Sequence, residues 1–131
     1  MKRVVIDTNV IVSSILSAEG NPTQVMNLIS DKTIQLSYST EILDEYKRVL
    51  AYAKLNITPQ TQARTIEAIE NLGTLIEPST SDMPLPDETD RIFYDTAQES
   101  DAILITGNTK HFPNEPFIMT PSDFLNSMKK D

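Results

Sequence analysis

The chain has no cysteine, no tryptophan and only three glycines. Without cysteine there is no disulfide scaffold and no thiolate zinc site, and the lack fits a reducing compartment. No apolar run approaches the ~20 residues that a bilayer-spanning helix needs. Positive charge is also scarce: 11 Lys and Arg face 19 Asp and Glu, for a formal net charge of −8. Proteins that hold nucleic acid mainly by charge are basic. A nucleic-acid substrate would therefore need help from bound cations or from a basic partner chain. The single histidine, with no thiol beside it, argues against a transition-metal site.

What remains is the composition of an ordinary globule, 39% apolar and 23% charged over 131 residues. That length reads as one domain, 1–131, able to bury about two-thirds of its unfolded surface. There is no internal repeat and no low-complexity tract. Lys2-Arg3 and the apolar run after it have the outline of a secretion signal. Asp7 and Asn9 interrupt that run, and a buried strand followed by a turn is the better reading.

Short apolar runs alternate with helical patterns. Strands are expected at Arg3–Ile6, Ile34–Tyr38, Thr74–Glu77, Ala102–Thr106 and Phe117–Met119. Helices are expected at Val10–Leu16, at Thr23–Ser30 after Pro22, from Glu41 to about Lys54 with Thr40 as cap, and at Pro59–Leu72 before Gly73. Two more are expected at Glu88–Ser100 and at Pro121–Met128, the last capped by Thr120, and Ser79–Pro86 reads as a polar loop. Strands separated by helices imply parallel crossovers, hence an α/β sheet covered on both faces. In such sheets chemistry lies beyond the carboxyl ends of the strands, where the strand order reverses.

Four clusters fall at that edge. Asp7-Thr8-Asn9 directly follows the first strand and can hold a cation or simply cap a helix. On a wheel of ~100° per residue, Glu45 sits on the shoulder of the apolar face formed by Ile42, Leu43, Tyr46, Val49 and Leu50. Its alternative is a solvated flank paired with Lys47 or Arg48. In Asp87-Glu88-Thr89-Asp90, Asp87 reads as an N-cap, and Asp90 borders the face carrying Ile92, Phe93 and Thr96. Thr106 and Asn108 follow the strand AILIT and can offer oxygen ligands, with Gly107 permitting a close turn; His111 is a loop residue or a substrate contact. Three carboxylates gathered together repel each other unless a cation is present. Hard oxygen donors select Mg²⁺ or Mn²⁺, singly or as a two-ion clamp.

Four stretches, in order, resemble the PIN-domain family: VVIDTNVIVS at Val4–Ser13, STEILDEYKRVL at Ser39–Leu50, DETDRIFYDTAQESDAILITGN at Asp87–Asn108, and HF at His111–Phe112. The chain is most similar to the compact VapC-like toxins of toxin–antitoxin pairs. The resemblance implies a three-layer α/β/α sandwich with a central parallel sheet. It implies a cytoplasmic, Mg²⁺- or Mn²⁺-dependent endoribonuclease that leaves 5′-phosphate and 3′-hydroxyl ends. Its acids map onto Asp7, Glu45 and Asp90 as metal ligands, and its fourth acidic position holds Asn108, which offers an oxygen but no charge. It also implies an RNA substrate, an antitoxin partner whose tail covers the acidic cleft, and a homodimer; an acidic cleft favours a basic residue, Arg above all, on that tail. Two other readings stand beside it: a PIN-like binding module weakened by Asn108, and a receiver-type phosphoacceptor built on Asp7, Thr106 and Lys110. The receiver reading lacks an acidic pair at the end of a central strand.

Overall fold

The computed structural model describes residues 1–129. Its strands are β1 (Arg3–Ile6), β2 (Gln35–Tyr38), β3 (Gly73–Leu75), β4 (Ile103–Ile105) and β5 (Ile118–Met119). They form one parallel sheet in the order β3-β2-β1-β4-β5. The helices are α1 (Thr8–Leu16), α2 (Asn21–Ser30), α3 (Thr40–Leu50), α4 (Pro59–Leu72), α5 (Arg91–Glu99) and α6 (Pro121–Lys129). The architecture is the expected three-layer α/β/α sandwich. Val4, Val5 and Ile6 of the central strand are 0% exposed, which is why that strand reads as an unbroken β-branched run rather than an alternating one. The apolar run after Lys2-Arg3 is thus the buried strand expected of it.

The strand order positions the site. From β1 the chain steps outward through β2 to β3, then returns to β4 on the other side of β1. The reversal lies between β1 and β4, and a crevice opens beyond their carboxyl ends. Asp7 follows β1 and Thr106 follows β4, so the two fastest exits from the sheet both lead into that crevice.

Several boundaries differ from expectation for local reasons. Ser39, not Thr40, caps α3: its hydroxyl accepts from the Ile42 amide at 3.1 Å. Thr40 instead donates its amide and hydroxyl to Glu77, both at 2.8 Å. α3 ends at Leu50, and the residues expected to extend it form a separate 3₁₀ turn, Ala53–Leu55, closed by Asn56 in a left-handed conformation (φ 54°). The helix expected over 88–100 begins as a 3₁₀ turn, Glu88–Asp90, and becomes α-helical only at Arg91. Gly73 ends α4 and starts β3 with no loop between. A Cβ there would lie 2.7 Å from the Tyr38 ring and 2.8 Å from the Ile69 carbonyl oxygen, so only glycine fits. Thr120 caps α6 as expected, accepting from the Asp123 amide at 3.1 Å.

The polar stretch 79–86 is a strap tied down by α5. Asp95 Oδ2 accepts the Ser81 amide at 3.1 Å, and Arg91 donates to the carbonyls of Ser81 (2.9 Å) and Met83 (2.7 Å). The strap therefore delivers Asp87 and Asp90 to the crevice from a fixed anchor.

Candidate active site

Asp7 stands at the N-cap position of α1, yet its side chain makes no capping bond. The carboxylate turns to the crevice instead, where Oδ2 accepts the Thr106 hydroxyl at 2.7 Å. That bond joins the ends of β1 and β4. Asp7 is 8% exposed and Thr106 is fully buried. Thr106 Oγ1 also accepts the Asn108 amide at 3.1 Å, which folds the loop after β4 back over the site.

Glu45 arrives from α3. Its Oε2 accepts the hydroxyl of Thr8, and Arg48 lies 3.7 Å from Oε1. The Arg48 pairing expected of a flank residue is thus present, but the glutamate side chain is only 16% exposed while Arg48 is 63% exposed. One turn of α1 and one turn of α3 are stitched together through this carboxylate. Burial raises the Glu45 pKa; the Thr8 hydrogen bond opposes that rise, the Asp7 charge adds to it, and Arg48 offsets part of it.

Asp90 enters from the 3₁₀ turn before α5. It occupies the N-cap position of α5 without a capping bond, because Asp87 already serves the turn by accepting the Thr89 amide at 2.9 Å. One oxygen of Asp90, Oδ2, is buried and has no hydrogen-bond partner. His111 Nδ1 lies 3.7 Å from it, within ion-pair range but beyond a hydrogen bond. Burial, reinforced by repulsion from Asp7 and Asp87, pushes the Asp90 carboxyl up to about 6.

The structure brings Asp7, Glu45 and Asp90 within electrostatic reach of one another, since Asp7 raises both of the other two and Glu45 raises Asp90. It also brings Asn108 and His111 to the same rim: Asn108 Nδ2 and His111 Nε2 are 2.9 Å apart. Among the described residues, no three Asp, Glu or His side chains close into a ready-made cage for an ion. Thr106 holds Asp7 and Thr8 holds Glu45, whereas Asp90 has only His111 facing it at 3.7 Å.

The donor set nevertheless suits a hard divalent cation. It consists of carboxylate oxygens, one of them orphaned, in a crevice whose mutual repulsion a cation would relieve. Mg²⁺ keeps much of its hydration shell and is commonly bound through one or two carboxylates together with substrate phosphates, so it does not require a dry three-acid cage.

Sequence reasoning missed the supports of this site. Tyr46 is fully buried behind it and donates its hydroxyl to the Ile6 carbonyl, fixing the residue before Asp7. Burial, then the Asp7 and Glu45 charges, raise the Tyr46 phenol well above its ordinary range, so it stays a neutral donor. The signal was available: a tyrosine on the buried face of a helix needs a partner for its hydroxyl. Thr8 stood inside a polar triplet next to Asp7, but nothing in the sequence ties it to Glu45. The anchoring role of Asp95, 6% exposed, was equally silent.

Comparison with known proteins agrees with the fold. VapBC2 from Rickettsia felis, solved bound to a DNA fragment from their promoter, is similar in fold. Its TM-score is 0.62 at 17% identity, covering 90% of this chain and 96% of that one. VapBC-1 from nontypeable Haemophilus influenzae is similar with a TM-score of 0.55 at 18% identity, covering 84% of this chain and 90% of that one. An uncharacterized protein of Methanocaldococcus jannaschii is 33% identical over 109 residues, 81% of this chain and 70% of the relative. Residues 3–110 match the PIN domain. The chain belongs to the PIN domain family.

Proposed function

We propose that this protein is a Mg²⁺- or Mn²⁺-dependent endoribonuclease, the toxin of a toxin–antitoxin pair. The observation that carries the reading is the crevice itself. Asp7, Glu45 and Asp90 come from three separate segments and act electrostatically on one another beside the strand-order reversal, and two of them have raised pKa values. Carboxyls with raised pKa values in a cleft mark a candidate active site, although Asp7 and Glu45 also tie neighbouring elements together through Thr106 and Thr8.

In this reading Asp7, Glu45 and Asp90 hold the ion, and Asn108 completes the shell through its side-chain oxygen or a water. A bound divalent ion supplies Lewis acidity toward a phosphoryl oxygen. The chain's own residues prepare the site. Thr106 fixes Asp7, Thr8 fixes Glu45, and Tyr46 fixes the end of β1 on which Asp7 stands. The ion also answers the charge problem, because a chain of formal charge −8 gains a positive centre where a polyanion must approach.

An antitoxin partner is supported by the fold shared with the two VapBC structures. A cavity of about 260 Å³ between α1, α2 and α4, lined in part by Ile11, Ile15, Met26 and Leu72, offers an apolar seat for such a chain. A homodimer belongs to the same reading. No helix among the described residues is long and apolar enough to cross a membrane.

The test is cleavage of RNA by the pure protein with Mg²⁺ or Mn²⁺ and with EDTA. Metal-dependent cleavage that Asp7→Asn abolishes is the expected result. Cleavage in EDTA, or full cleavage by that variant, refutes the assignment. A second reading, a PIN-like RNA-binding module with weakened catalysis, is favoured by one observation: the fourth acidic position is the uncharged Asn108. It predicts RNA binding without cleavage.

A further inference from the structure

The fourth position of the site is occupied by a pair rather than by one residue. His111 Nε2 meets Asn108 Nδ2 at 2.9 Å, while His111 Nδ1 faces Asp90 Oδ2 at 3.7 Å. The two contacts constrain each other. An amide nitrogen can only donate, so Nε2 must be the bare, accepting nitrogen of a neutral ring. The ring proton then sits on Nδ1, the nitrogen that faces the unpartnered Asp90 Oδ2 at 3.7 Å. The opposite arrangement flips the Asn108 amide so that its oxygen accepts from Nε2–H. In a neutral ring a bare Nδ1 lone pair would then face the Asp90 carboxylate, in a doubly protonated ring both nitrogens would donate, and in either case Asn108 would offer the crevice only its NH₂ group.

From this geometry we infer that His111 is a positioning residue: it engages the nitrogen end of the Asn108 amide and so leaves the oxygen end free to serve the site as a neutral oxygen donor. The His111–Asn108 pair stands in for the missing fourth acid. The inference rests on the ion-dependent reading above and gives it a residue that the acids alone do not. It also explains how a site can keep an oxygen ligand at this position without adding a fourth negative charge to three that already repel.

His111 is the only histidine, so its ring nitrogens are read without ambiguity by ¹⁵N NMR of the full-length protein. The expected state, at a pH well above the ordinary imidazole range, is the Nδ1–H tautomer. An Nε2–H ring overturns the inference. The second arm is a double-mutant cycle read by Mn²⁺ titration calorimetry, which needs no activity. The His111 side chain is 53% exposed, so its truncation leaves the fold intact. His111→Ala is expected to weaken Mn²⁺ binding at least about 10-fold, as loss of an orienting partner does. Asn108→Asp carries an oxygen ligand in either orientation, so His111→Ala made in that background is expected to change Mn²⁺ affinity little. Equal losses in both backgrounds, or Mn²⁺ uptake indifferent to His111, overturn the inference alone. No Mn²⁺ uptake by the unaltered protein overturns the ion-dependent reading and this inference with it.

Discussion

Asp87 and Asp90 stand three residues apart and their carboxyls are driven in opposite directions. Asp87 accepts the backbone amide and hydroxyl of Thr89, and those bonds hold its pKa below the usual carboxylate range. Glu88 and Glu77 behave alike, the first through Arg91 and the second through Thr40. Asp90 and Glu45 are raised, first by burial and then by other acids. The first set is satisfied by its own neighbourhood and shapes a turn, a strap and a helix end. The second set is withdrawn from water beside like charge, which destabilises the free protein. A ligand of opposite charge would relieve that strain, which is the role the proposed ion takes.

Loss of cleavage should separate the two sets most strongly. Asp90→Asn is expected to reduce RNA cleavage at least roughly 100-fold, the scale seen when a transition-state charge contact is removed. Asp87→Asn should leave most of the activity, as measured by initial rates on the same RNA. Equal losses would erase the distinction between site and scaffold.

The next effect is on stability, and its sign follows from linkage. The Asp90 carboxyl titrates at about 6 in the fold against 3.8 as its ordinary value. The native state therefore holds that proton more tightly than the unfolded chain does. The associated stability is present in full below the ordinary value and is lost as pH rises through about 6. At roughly 1.4 kcal/mol per pKa unit, Asp90→Asn should stabilise the metal-free protein at neutral pH by up to ~3 kcal/mol. Urea unfolding in EDTA measures this, and the gain should vanish at pH values below the ordinary carboxylate range. Asp87 has the opposite linkage: its contribution is present above its ordinary value and is lost as pH falls. A neutral or destabilising Asp90→Asn would mean that the crevice does not strain its acids.

A smaller effect sharpens the scaffold side. Ser39→Ala removes the cap of α3, the helix that presents Glu45, and should cost about 1 kcal/mol. Because the cap lies more than a turn before Glu45, Mn²⁺ affinity should hardly change.

Much of this was legible in the sequence, and the reasons differ by element. The strands announced themselves because a doubly covered parallel sheet needs continuous apolar runs, as in RVVI and AILIT. Asp7 was legible because a charged residue ends the first of those runs, and Glu45 because it alone sat on the shoulder of an apolar helical face. Helix ends were less legible. Ser39 and Thr40 are both competent caps, and the choice between them turned on Glu77, a contact 37 residues away. The hydroxyls of Thr8 and Thr106 were opaque as supports for the same reason. Their partners are distant in the chain, and threonine carries no pattern that distinguishes a carboxylate clamp from a surface residue. His111 was visible as a lone histidine, but its bond to Asn108 depends on how the short 3₁₀ turn Thr109–His111 folds.

The most direct test is the thermal midpoint of the full-length protein against Mn²⁺ concentration at neutral pH, for the unaltered chain and for Asp7→Asn. A shared cation site predicts a midpoint that climbs with Mn²⁺ by mass action in the unaltered chain and stays flat in the variant. A flat response in both, or the same climb in both, would contradict the idea that these acids are gathered to hold an ion.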